Sequence, residues 1–185
     1  MDLSKRKLPN TIEVRGSFYS VYTDFRVWLR FANDFENLTA TSKMPNIDYI
    51  FNTDRVPLIL TAEDFNSIIE FYSPTKDIPR DRGGGEETLN YLVDGNYIYS
   101  AFYECYGIDL LEVNMHWHKF LALLAGISEE TKLSKILGYR GYKGKDKEYK
   151  KLREIWRLPS RPLTAEEQAK IDEFDDYFSG KGSRQ

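Results

Sequence analysis

Residues 11–35, Thr11-Ile-Glu-Val-Arg-Gly-Ser-Phe-Tyr-Ser-Val-Tyr-Thr-Asp-Phe-Arg-Val-Trp-Leu-Arg-Phe-Ala-Asn-Asp-Phe35, contain a change of period, and that change decides the fold. As far as Arg15, apolar and polar residues alternate, the pattern of a strand with one buried face. Gly16-Ser17 is a two-residue turn candidate, and Phe18 to Tyr22 continues in strand-rich composition. A β-hairpin is therefore predicted over about 11–22. From Asp24 the spacing turns helical: Phe25, Trp28, Leu29, Ala32 and Phe35 fall at i, i+3, i+4, i+7 and i+10, behind an aspartate suited to the N-cap. A lone hairpin is marginal in water, so this one must pack on the helices that follow.

The helical spacing recurs along the chain. Residues 38–60 carry Pro45 and Pro57 without a sustained period and read as a loop, with short extended pieces at Tyr49–Phe51 and Leu58–Leu60. Thr61-Ala-Glu-Asp64 is a capping box ahead of a helix with Phe65, Ile68, Ile69 and Tyr72 on one face. A flexible loop is predicted over 73–90, with Gly83-Gly84-Gly85 at its centre. Beyond it Ile98, Ala101, Phe102 and Cys105 line one helical stripe, Tyr99, Tyr103 and Tyr106 another, and Gly107 ends the helix. Asn114 is the expected cap of a helix with Trp117, Phe120, Leu121 and Leu124, ending at Gly126. Further helices are predicted from Ser128 to Gly138, from about Asp146 to Arg157, and from Thr164 with Ile171, Phe174, Tyr177 and Phe178. The expected architecture is mainly α: one helical domain over 1–159 with a small N-terminal β-hairpin, then a C-terminal helical extension and frayed tail over 160–185.

At 185 residues the chain is long enough to bury a core without disulfide or metal staples. Its aromatic content of 15% is one that a disordered chain lacks. A single cysteine, Cys105, forms no internal disulfide and no cysteine-built zinc site, and fits a reducing cytosol. No apolar run approaches the roughly 18–20 residues of a membrane span. The basic start, Met1 to Asn10, has no apolar stretch behind it and does not read as a secretory signal. A soluble intracellular protein is expected.

The residues that suggest chemistry have plainer readings. His116 and His118 stand two apart, which on a helix points them about 200° from each other, whereas helical metal pairs sit at i, i+4. The glycine cluster is followed by Glu86-Glu87, whose charge repels phosphate, and lacks the Lys-Ser/Thr of a nucleotide loop. Cys105 lies on an apolar stripe, where a thiol is usually inert. No Gly-x-Ser-x-Gly elbow is present, and the carboxylates are scattered. Neither metal, cofactor nor enzymatic activity is expected.

Charge is distributed unevenly. Residues 132–161 hold 11 Lys/Arg against 3 Asp/Glu, a local +8, whereas 1–131 hold 12 against 20, or −8, and 162–185 hold 3 against 6, or −3. The net −3 is thus a cancellation. Within the basic block, Tyr139-Arg140-Gly-Tyr142-Lys143-Gly-Lys145 interleaves rings with charge, and Lys150-Lys151 follow. Such a stretch suits a nucleic-acid backbone with rings stacked on bases, an acidic protein partner, or a solvated face.

Several stretches together resemble a known family. They are Leu8-Pro9 ahead of the hairpin; Thr23-Asp24-Phe25-Arg26-Val27-Trp28-Leu29; Tyr97-Ile98-Tyr99-Ser100-Ala101-Phe102; and Tyr106-Gly107-Ile108-Asp109-Leu110-Leu111-Glu112. His116-Trp117-His118-Lys119-Phe120 follows with Leu123-Leu124-Ala125-Gly126, then Ile136-Leu137-Gly138-Tyr139-Arg140 and Tyr149-Lys150-Lys151-Leu152. In order and spacing this is similar to the bacteriophage family named after a fifteenth gene product, of tailed phages and prophages of Gram-positive bacteria. The likeness covers about 8–159 and is most specific from Tyr97 to Arg140. His118 stands where the family often carries an aromatic ring, and the glycine loop and the tail after Pro162 look particular to this member.

The resemblance implies a tail-module protein encoded between the major tail protein and the tape measure, like the tail assembly chaperones of long-tailed phages (siphoviruses). Such proteins are helical oligomers that coat the tape measure protein while tube subunits polymerise round it in the host cytoplasm, and are absent from the virion. Reversible shielding of a long apolar partner calls for exposed aromatic stripes flanked by charge. The candidate partner-binding residues are Tyr99, Tyr103, Tyr106, Tyr139, Arg140, Tyr142, Lys143, Lys150, Lys151, Trp156, Phe174 and Tyr177. The opposed charges of the two main segments predict head-to-tail self-association. The alternative class is a nucleic-acid-binding phage protein using 132–161.

Overall fold

Strands β1 (Thr11–Val14) and β2 (Ser17–Ser20) pair antiparallel, with Ile12 opposite Tyr19 and Val14 opposite Ser17. The turn is Arg15-Gly16, one residue before the expected Gly16-Ser17. A two-residue hairpin turn of this hand needs positive φ at both central positions, and Arg15 and Gly16 have φ of 49° and 74°. Glycine takes the second position at no steric cost, and Arg15 is held in the first by a fork of bonds to Asp64: Nε donates to Oδ1 at 2.9 Å and Nη2 to Oδ2. The alternation is as read: Ile12 and Val14 are buried, Thr11 and Glu13 exposed.

The structure, a computed structural model, describes residues 4–41, 46–57, 61–74 and 88–159, with the backbone alone over 37–41. Among the described residues six α-helices follow the hairpin: α1 (Phe25–Thr41), α2 (Ala62–Tyr72), α3 (Gly95–Tyr106), α4 (Trp117–Ala125), α5 (Lys132–Arg140) and α6 (Lys147–Ile155). The architecture is mainly α, as expected. The piece expected to be extended at 49–51 is a 3-10 turn over Asp48–Ile50, after which Phe51 pairs with Val21 at the hairpin's end. The second expected piece, Leu58–Leu60, the glycine loop and the helix from Thr164 lie outside the described residues.

The core is built round stacked aromatic rings. Trp28 and Trp117 are fully buried. Trp28 stacks on Phe71 of α2 at 4.6 Å between ring centroids, and Trp117 on Tyr72 at 5.4 Å. Phe120 of α4 stacks between Phe25 of α1 and Phe102 of α3, at 4.8 and 5.1 Å. Each indole also finds an acceptor for its N–H: Trp28 donates to the Tyr22 carbonyl and Trp117 to that of Tyr72, both at 2.8 Å. Buried rings of this kind contribute large apolar area, and a satisfied N–H removes the penalty of burying an indole.

Caps and loops explain the motifs. Asp24 accepts from the Arg26 backbone N–H, the expected cap of α1. The Arg26 guanidinium then donates to the carbonyls of Leu110, Leu111 and Val113, sewing α1 to the loop after α3. Both halves of the Thr61/Asp64 capping box are made. Gly107 ends α3 with φ of 63°. The cap of α4 is His116 rather than Asn114: Nδ1 of His116 accepts from the His118 N–H at 3.0 Å. Extended pairing of Asp24 with His116, closed by Trp117 N–H to the Thr23 carbonyl at 2.7 Å, fixes the chain up to that residue, so the helix cannot begin at Asn114. Similarly α5 starts at Lys132, because buried Thr131 accepts from the Ser134 N–H and its own hydroxyl bonds the Ser128 carbonyl, and it runs past Gly138 to Arg140.

Candidate partner-binding surfaces

The basic segment forms a helical hairpin, α5 against α6, mounted by buried Leu133 and Ile136 of α5 and by a polar clamp. Arg140 at the end of α5 is buried and grips fully buried Asp94, with Nη1 to Oδ2 at 2.6 Å and Nη2 to Oδ1 at 2.9 Å. Its remaining donors reach the carbonyls of Thr88 at 2.9 Å and Trp156 at 2.6 Å. Asp94 also accepts from the Asn90 N–H at 3.0 Å. One guanidinium thus ties together the entry to α3, the end of α5 and the end of α6. A buried pair of this quality satisfies its desolvation only because nearly every lone pair and N–H is engaged.

The rings of this region are largely turned on one another. Tyr149 of α6 packs on Tyr142 at 4.9 Å and on Tyr139 at 6.1 Å. The Tyr142 hydroxyl accepts from the Asp146 N–H at 3.0 Å, and its ring lies so close over Gly144 that a Cβ there would come within 2.3 Å of the hydroxyl. Gly144 is required for that approach. Trp156 packs edge-on against Tyr97 at 6.0 Å and receives the Lys132 ammonium on its face at 4.5 Å. What faces outward is charge: Lys147, Lys150 and Lys151 are exposed, with Ile155 beside them.

The tyrosine stripe of α3 divides similarly. Tyr106 is half-buried and its hydroxyl donates to the Leu123 carbonyl at 2.8 Å, with burial pushing the phenol's pKa up. Tyr99 bonds Asp109 at 3.2 Å, and desolvation followed by the Asp109 carboxylate raises its pKa. Tyr103, 59% exposed, stacks loosely on Tyr99 and otherwise faces solvent. Of the twelve candidate residues, Tyr103, Lys143, Lys150 and Lys151 are therefore displayed on the surface. Tyr99, Tyr106, Tyr139, Tyr142 and Trp156 are half-buried in internal contacts, and Arg140 is an internal clamp rather than a group presented to a partner. Phe174 and Tyr177 lie outside the described residues.

Two surfaces escape a reading of composition. Phe18 of β2 is 71% exposed, and Leu111, in the loop after α3, 78% exposed. The register that pairs Phe18 with Glu13 puts it on the face opposite Ile12 and Val14, a signal present in the alternation once the turn is placed correctly. Beside Phe18 an open groove of about 860 Å³ runs between β1 and α2, lined by Glu13, Glu63 and Glu70, with the Arg15–Asp64 pair inside it.

The two histidines are clips. His116 Nε2 sits 2.8 Å from the Pro9 carbonyl while its Nδ1 caps α4, which makes Nε2 the protonated nitrogen. His118 Nε2 meets the Phe71 carbonyl at 2.7 Å. Burial lowers the pKa of both, against the opposing effect of those carbonyl bonds. Among the described residues no buried side-chain nitrogen or oxygen lacks a partner, and no group of three or more His, Cys, Asp or Glu is arranged to hold a metal. No described helix is long and apolar enough to cross a membrane.

The family model described as bacteriophage Gp15 protein matches residues 5–158. The chain belongs to that family. No curated protein and no solved structure matches it. The matched span begins at the hairpin's approach and ends just after α6, so it takes in every described element from β1 onward. The Asp24/Arg26, His116/Trp117 and Arg140 positions that carried the resemblance are those that stitch α1, α4 and α5 into one body. Membership identifies a bacteriophage protein and points to a structural or assembly role.

Proposed function

We propose that this member of the family is a tail assembly accessory of the chaperone type, which self-associates and binds the tape measure protein while the tail tube polymerises. It acts in the host cytoplasm, has no catalytic step, and leaves before the virion is complete. The observation that carries the reading is the family match across residues 5–158, joined to a surface of exposed apolar side chains among charges. Phe18, Leu111, Tyr103 and Ile155 are each more than half exposed, a distribution suited to reversible contact with an extended apolar partner. A non-catalytic role is supported by the commitment of the buried ionisable groups among the described residues, Asp94, Arg140, Asp64 and His118, to fastening elements together.

The nucleic-acid alternative is weakened by the ring packing, since Tyr139 and Tyr142 are engaged by Tyr149 instead of being free to stack on bases. The test is capture of tape-measure fragments by the full chain, run beside a gel shift with duplex DNA at about 150 mM salt. Retention of a tape-measure fragment without a DNA shift is expected. Salt-sensitive DNA binding without capture would reverse the assignment.

A further inference from the structure

Helix α6 buries none of its residues. Lys147, Lys150, Lys151 and Glu154 recur at i, i+3, i+4 and i+7 and are all exposed, while half-buried Leu152 lies on the opposite side of the wheel. Asp146 caps the helix through bonds to the Glu148 and Tyr149 N–H groups, and the tyrosine clasp and Trp156 hold its two ends to α5. The result is a short, preorganised helix that presents three ammonium groups and Ile155, 61% exposed.

The groove between β1 and α2 has the complementary character. Glu13 of β1 and Glu63 and Glu70 of α2 line it and are exposed, and the Arg15 charge inside it is already engaged by Asp64. Phe18, 71% exposed, supplies an apolar rim. Seven residues separate Glu63 from Glu70, about 10 Å along the α2 axis, and Lys147 to Lys151 spans about 6 Å, a difference that the long lysine side chains cover. No residue of α6 lines the groove in its own chain.

We propose that α6 of one copy lies in the β1–α2 groove of the next, with Lys147, Lys150 and Lys151 facing Glu13, Glu63 and Glu70 and Ile155 approaching Phe18. This rests on the self-associating assembly role and names the surfaces that carry it. The two surfaces are different parts of the chain, so a contact that the same two copies do not return is heterologous and propagates from copy to copy. Its strength falls with salt, because its charged pairs are rim-exposed and screened.

Sedimentation velocity on the full chain tests this, using wild type, a Lys147→Glu/Lys150→Glu/Lys151→Glu variant and a Glu13→Lys/Glu63→Lys/Glu70→Lys variant. Far-UV circular dichroism and the melting midpoint verify that each variant is folded. Wild type is expected to associate with rising concentration, at least about tenfold more weakly in 500 mM than in 50 mM salt. Each variant alone stays monomeric, and their equimolar mixture associates, because every α6 then meets a groove of opposite charge. Association that survives either reversal, or a mixture that stays monomeric, overturns the assignment of surfaces while leaving self-association intact. A wild type monomeric at every concentration and salt sinks the self-association reading itself. A duplex-DNA shift abolished by the lysine reversals, with association unchanged, assigns α6 to nucleic acid instead.

Discussion

Trp117 and Arg140 sit at the centres of two differently built regions. Around Trp117 the hairpin, α1, α2, α3 and α4 share one continuous apolar cluster, and the hydrogen bonds of the two indoles finish what apolar burial has determined. Around Arg140 the order is reversed. Helix α5 buries Leu133 and Ile136, but α6 contributes no buried residue, and a single guanidinium with four acceptors joins the ends of α5 and α6 to the entry of α3. Apolar burial is non-directional and tolerates repacking, whereas an ion pair in a dry site is directional and fails when either partner is lost. The first region therefore fixes the fold, and the second fixes the presentation of a charged helix.

The largest expected effect is on the first region. Trp117→Ala removes a fully buried indole that stacks on Tyr72 and Phe120, and should destabilise the protein by about 3–5 kcal/mol in urea unfolding. A loss below about 2 kcal/mol would mean that the rings repack around the gap. Next comes Arg140→Ala, expected to cost about 3 kcal/mol because Asp94 stays buried without its partner. Replacing both as Asp94→Leu/Arg140→Met should recover most of that loss, which the Trp117 site cannot do by any truncation. Hydrogen exchange sharpens the contrast: in Arg140→Ala the α5 and α6 amides should exchange faster while those of α1 and α4 hardly change.

Thr61→Ala removes the acceptor for the Asp64 N–H and should cost about 1 kcal/mol. Its effect should reach the hairpin, since Asp64 also holds Arg15; equal hairpin exchange rates in variant and parent would show that the two bonds are independent. Smaller again is a pH effect. The pKa of His118 is depressed by burial, so the folded state binds fewer protons than the unfolded chain just below the ordinary histidine value. Stability is expected to be flat above about pH 6.5 and to fall as pH drops through it, levelling off below the depressed folded pKa. His118→Phe, which keeps a ring beside Phe71, should lessen that acid loss, as read by melting midpoints between about pH 7.5 and 5. Tyr103→Ala should change stability by no more than about 0.5 kcal/mol, because the ring faces solvent.

Periodicity made α1 to α5 legible because each buries one stripe, and Ile98, Ala101 and Phe102 are buried as their spacing requires. Where two local options competed, tertiary contacts decided. Asn114 and Ser128 are good caps in isolation, yet His116 and Thr131 take the role because the chain pairs with Thr23 and because Thr131 is buried. The surface was harder to read. Tyr106 falls on a stripe apart from the core in the linear pattern, but its hydroxyl reaches the Leu123 carbonyl, a contact between helices that no spacing reports. Arg140 looked like one cation among eleven until Asp94, 46 residues earlier, was brought beside it.

The pairing of Thr23–Phe25 with Met115–Trp117 has a consequence for the order of events in the cell. His116 also reaches back 107 residues to the Pro9 carbonyl, so the hairpin and α1 acquire their last partners late in synthesis. Until α4 has left the ribosome, Phe25 has no Phe120 to stack on and the first two helices hold an open apolar face. Folding should then be limited by closure of this long loop, and a chain truncated before Met115 should be captured by holdase chaperones in the host.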